Sequence, residues 1–176
     1  KNRHTVKGSP AMADLYTHVL VGYILATLLS WRYARLTPPF VTVLMAGSTL
    51  PDLSRLELIV PSIRIEDALG VPFSWLPLHR VGGTVLVVCT GSLLASKRHR
   101  RAVFVLLALG AGSHYFLDFL LYNPSGRTGA FLWPFTIRRF TIDGFYFSTD
   151  RWPAVVTTVG AAVVWSLDRR KNALDG

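Results

Sequence analysis

The sequence predicts an all-α integral membrane bundle of about five short transmembrane helices. Two observations carry that reading. Apolar residues make up 51 % of the 176 and charged residues only 16 %, against about 25 % charged in soluble domains. Five apolar runs, at 15–31, 40–50, 81–96, 102–122 and 152–167, are separated by short basic or aromatic connections. A helix needs about 20 residues to cross about 30 Å of hydrocarbon. Only the fourth run reaches that unaided; the others need their flanks, a thinner bilayer or burial against neighbours.

The second run is the odd one. Pro38-Pro39 suits a helix start, where a missing N–H costs no intrahelical bond. Pro51 then breaks the helix, and an apolar continuation follows with Arg55 and Glu57. Broken backbone at membrane depth is tolerated only beside protein or a wet cavity, so the break at Pro51-Asp52 is a place to look for a site. The connections 61–78 and 123–151 read as interfacial loops, the second rich in aromatic residues that favour the membrane–water boundary. Residues 1–11 read as a leader or remnant, 12–171 as a single transmembrane domain and 172–176 as a tail. There is no internal repeat.

Net charge is +9, and its distribution suggests lipid rather than nucleic acid as partner. Arg32 and Arg35, the run 97–101, and Arg169 to Lys171 follow alternate apolar segments. If all five segments cross, these three clusters share one side, which the positive-inside rule makes cytoplasmic. The N-terminus then lies outside and the C-terminus in the cytoplasm, in a multi-pass protein of the cell membrane. Cys89 is the single cysteine, which excludes an intrachain disulfide and cysteine-based zinc sites.

On this layout the polar residues converge. Asp14 and His18 open the first segment, Asp52 closes the second, His79 and Arg80 open the third, and His114 and Asp118 sit late in the fourth. All fall toward one face. His114 and Asp118 are four apart and share a helix side, as do Asp14 and His18. Gly110 and Gly22 lie one turn away and allow close helix approach. Histidine with carboxylate is a ligand set for zinc, and also suits manganese or iron. A metal-free His–Asp hydrogen bond satisfies both groups as well. Taken singly, Asp14 reads as a helix N-terminal charge, Asp52 as a turn or cap residue and His99 as solvated, while His4 falls in the leader.

The order His18, Pro51-Asp52, His79-Arg80, His114-x-x-x-Asp118 and Leu132-Trp133-Pro134-Phe135 resembles the membrane-bound, metal-dependent hydrolases of the YdjM type, which include LexA-regulated inner-membrane members. The resemblance spans most of the chain, from about Met12 to Leu167. It implies that His18, Asp52, His79, His114 and Asp118 are metal-associated and that Trp133-Pro134 lies near the site. Two positions depart from the pattern: Ser54 stands where a second acidic residue is common after Pro-Asp, and Thr84 where a further histidine is common after His-Arg.

The reading is a membrane-embedded hydrolase with one divalent metal, zinc before manganese, near the extracytoplasmic face. Asp52 is a ligand or the general base, and Arg80 clamps an anionic group. The substrate is a lipid or other membrane-borne molecule, with a phosphodiester in view. The rivals are a non-catalytic scaffold or assembly protein with a degenerate site, favoured by Ser54 and Thr84, and, ranked last, a small transporter.

Overall fold

The computed structural model describes residues 11–33, 35–122, 130, 132–138 and 144–175; the side chains of 11–14, 174 and 175 are not among the described parts. The chain is all-α. The helices are α1 (Ala11–Arg32), α2 (Pro38–Thr49), α3 (Ser62–Leu69), α4 (Val81–Leu94), α5 (Arg100–Phe119) and α6 (Trp152–Asp175). Two 3₁₀ segments, Leu50–Leu58 and Leu76–His79, precede α3 and α4. No strand occurs among the described residues; Leu121 and Tyr146 form an isolated bridge that ties the end of α5 to the chain before α6.

Sequence pattern accounts for most boundaries. Pro38 and Pro39 occupy the first turn of α2, so the helix starts two residues before the apolar run does. The break at Pro51 is a change of helix type: the α-helix ends at Thr49 and a 3₁₀ helix begins at Leu50. The connection 61–78 holds α3 and a 3₁₀ turn, while much of 123–151 and all of 1–10 lie outside the described residues. The helix α6 continues past the apolar run, which ends at Leu167, through the basic residues to Asp175.

The helix α2 sits in the middle, packed against α1 on one side and α5 on the other; α6 packs on α1 and α4 on α5. Leu44 of α2 is fully buried with Ala26 of α1 and Leu106 of α5. Close approach depends on glycine. A β-carbon on Gly110 would lie 2.6 Å from the Ser48 nitrogen and 2.7 Å from the Gly47 carbonyl carbon. One on Gly22 would lie 2.7 Å from Ser48 Oγ. These contacts press α1 and α5 onto the last turn of α2, where the break occurs.

Beside the apolar core, several polar side chains are buried while many large apolar ones are exposed. His18, Ser48, Asp52, Thr84, Ser92 and His114 are buried. Leu86, Leu93, Phe116, Val155, Val159 and Trp165 are exposed. Large outward apolar faces mark a surface that contacts something other than water. Among the described residues, α5 is long and apolar enough to cross a membrane by itself. The apolar α4 has 14 residues, about 21 Å at about 1.5 Å per residue.

Overpacking the α2–α5 contact tests this arrangement. Gly110→Ala is expected to lower stability by about 1–3 kcal/mol, read as a lower melting temperature in detergent. An unchanged melting temperature would show that the helices do not meet at that glycine.

Candidate metal centre

The break in α2 builds the site. In a 3₁₀ turn the carbonyl of Ser48 would accept from the N–H of residue 51, but that residue is proline and has none. The carbonyl turns to α5 instead and accepts a hydrogen bond from His114 Nδ1 at 2.8 Å. Three residues on, the Pro51 carbonyl accepts from His79 Nδ1 at 3.0 Å. A carbonyl oxygen only accepts, so in both rings Nδ1 carries a proton, and Nε2 is the ring nitrogen left to face other partners.

Both Nε2 atoms point at one carboxylate. His79 Nε2 lies 3.2 Å and His114 Nε2 3.3 Å from Asp118 Oδ2. His18 adds a third, with Nε2 3.4 Å from Asp118 Oδ1. The His18 ring stacks on His114 with centroids 3.7 Å apart and planes 17° from parallel. Asp52 closes the other side, its Oδ1 4.0 Å from His79 Nδ1. The ligand atoms of His79, His114 and Asp118 lie within 4.8 Å of one another, as do those of His18, Asp52 and His114. The five residues singled out in the sequence as metal-associated are therefore gathered in one place.

The cluster offers open coordination positions to a metal ion. His114 Nε2, Asp118 Oδ2 and Asp52 Oδ2 are buried and lack a hydrogen-bond partner among the described residues. Lone pairs of neutral imidazole facing a carboxylate at these distances repel unless a proton or a metal lies between them. The spacing suits a metal: tetrahedral ligands at about 2.0–2.1 Å from zinc stand about 3.3 Å from each other. The Nδ1–H to carbonyl bonds are the outer contacts that orient histidine ligands.

Two residues near the site were not anticipated. Arg55 donates from Nε to Asp52 Oδ1 at 2.8 Å, so it holds the carboxylate one 3₁₀ turn upstream. The i,i+3 spacing was a visible signal, but its meaning depends on Asp52 being buried. Tyr115 lies beside His79 and His114, with ring centroids 6.4 and 6.0 Å away. Thr84, at the position expected for another histidine, is buried. Its hydroxyl donates to the Leu78 carbonyl at 3.0 Å and accepts from the Tyr115 hydroxyl at 2.6 Å. Arg80 is not brought to the carboxylates: its described contact is with the Trp133 ring, 5.6 Å from guanidinium carbon to centroid. The Trp133 carbonyl accepts from the Gly82 N–H at 2.9 Å, which docks that loop at the start of α4. His99 lies at the far end, on Ser96 and Phe40. His4 and the Asp14 side chain lie outside the described residues.

Over residues 12–174 the chain matches the family described as YdjM inner membrane protein. The chain belongs to that family. Its membrane localisation follows, since the family is one of inner-membrane proteins. No curated protein and no solved structure shows a significant match to it.

The Asp52–Arg55 pair yields a stability test. In chelator-treated protein, Arg55→Met is expected to cost about 1–3 kcal/mol by stranding a buried carboxylate. Most of that cost should vanish in an Asp52→Asn background. Equal costs in both backgrounds would remove the pair from the account.

Proposed function

We propose that this YdjM-family chain is a membrane-embedded, metal-dependent hydrolase. The observation that carries the reading is the convergence of three histidine Nε2 atoms on Asp118, two of them fixed in orientation by carbonyls of the broken helix. His79, His114 and Asp118 are the ligands of one divalent ion, zinc before manganese, with His18 completing the set. When bound, the ion supplies Lewis acidity and lowers the pKa of a coordinated water.

The chain's own residues do the rest. Asp52 is the general base: it is buried, beside His79, and held in place by Arg55. His18 shields one face of His114 by stacking and limits access of bulk water. Arg80, stacked on Trp133 beside His79, holds the anionic part of the substrate at the mouth of the site. The outward apolar faces and the family's membrane location support a bundle in which α1, α2 with its 3₁₀ continuation, α4, α5 and α6 all enter the bilayer. The three basic clusters then mark the cytoplasmic side and the metal centre lies toward the other. A lipid or other membrane-borne phosphodiester fits such a position. Thr84 favours the rival reading of a non-catalytic scaffold, because a hydroxyl pair with Tyr115 fills the place of an additional ligand.

Elemental analysis of the detergent-purified protein is expected to find about one divalent ion per chain, lost in both His114→Ala and Asp118→Ala. Asp52→Asn should retain the ion and reduce hydrolysis of a lipid phosphodiester by about 10²–10⁴-fold. Wild-type protein without stoichiometric metal would sink the metal centre. Metal with no turnover of phosphodiester or ester lipids would favour the scaffold.

A further inference from the structure

The opposite end of the bundle carries a second feature, built from other residues. There the C-terminal end of α1 meets α6, where Trp31 Nε1 donates to Asp168 Oδ1 at 2.8 Å. The start of α2 meets the turn before α5, where the Phe40 and His99 rings stand edge to face at 5.7 Å. His18, Asp52, His79 and Asp118 all belong to the other end of their elements, so the two regions are separated by most of the bundle's length.

Between the turn that joins α1 to α2, the start of α2 and the first turns of α5 lies a cavity of about 900 Å³. Arg35, Arg98 and Arg101 are among its lining residues, together with the apolar Phe40, Val105 and Leu106. No carboxylate is among the lining residues. Three guanidinium groups around one opening repel each other, and an anion placed between them relieves that repulsion. Guanidinium forks also match phosphate oxygens bidentately.

The surroundings select the kind of anion. Arg101, Val105 and Leu109 follow one another at four-residue steps and so share one stripe of α5. Val105 is 51 % and Leu109 43 % exposed, and Phe116 continues the apolar outer surface at 65 %. The stripe runs from the cationic rim along the side of the bundle. A soluble anion would use the rim and leave the stripe bare; a molecule with an anionic head and a hydrocarbon tail covers both. Basic pockets between membrane helices are suited to anionic headgroups, and the family is one of inner-membrane proteins.

We propose that this cavity binds the phosphate headgroup of an anionic phospholipid, with one acyl chain along the Val105–Leu109 stripe of α5. The site is separate from the metal centre and does not depend on it.

Native mass spectrometry of the delipidated full chain in detergent tests this, with phosphatidylglycerol and phosphatidylcholine of matched acyl chains. Phosphatidylglycerol should be retained in preference to phosphatidylcholine. Arg98→Gln and Arg101→Gln should each weaken its retention by about fivefold. Arg64→Gln, an exposed cation on α3, should leave retention unchanged. Circular dichroism melts confirm that each variant is folded. Equal retention of the two lipids would overturn the proposal, as would an Arg64→Gln effect matching that of Arg101→Gln. Displacement of phosphatidylglycerol by excess inorganic phosphate would overturn it in favour of a soluble-anion site.

Discussion

The hydrogen bond that proline cannot make at position 51 is the constraint on which the site depends. Without that N–H, the Ser48 carbonyl finds its donor on another helix, and His114 supplies it. The same turn directs the Pro51 carbonyl to His79. One interruption in α2 therefore orients two histidines on two other elements. It also sets their tautomers, because each ring must give its Nδ1 proton to an acceptor that cannot give one back.

Packing makes this local event consequential. The α2 break would orient nothing if α5 stood at an ordinary interhelical distance. Gly47 and Gly110 remove the β-carbons between α2 and α5, and Gly22 does the same against Ser48. Backbone then lies close enough to reach a histidine ring on the neighbouring helix. The buried polar cluster and the glycine contacts are one device: small residues draw the helices together, and the close approach excludes water from the groups it gathers.

The molecule has two chemically opposite ends. At one, histidines and carboxylates converge with atoms that want a cation. At the other, three arginines line a cavity that has no carboxylate among its lining residues. The faces between them are apolar and point outward. The chain belongs to a family of inner-membrane proteins, and these two ends are the parts of it that carry its polar chemistry.

The sequence by itself determined the helical class, the apolar segments, the interruption at Pro51 and the residues His18, Asp52, His79, His114 and Asp118. These were legible because hydropathy, proline and residue spacing act locally, and because ionisable residues inside apolar runs stand out by their cost. Hydropathy marks where the last apolar run ends, at Leu167, and not where its helix ends, at Asp175. Only the tertiary structure decided which ring atoms face Asp118, that Arg55 holds Asp52, that Thr84 pairs with Tyr115, and that Arg80 leans on Trp133. Apart from the local Asp52–Arg55 pair, whose meaning depends on the burial of Asp52, those facts are distances between residues far apart in the chain. They follow from how closely glycine lets the helices meet, which spacing along one strand of sequence cannot state.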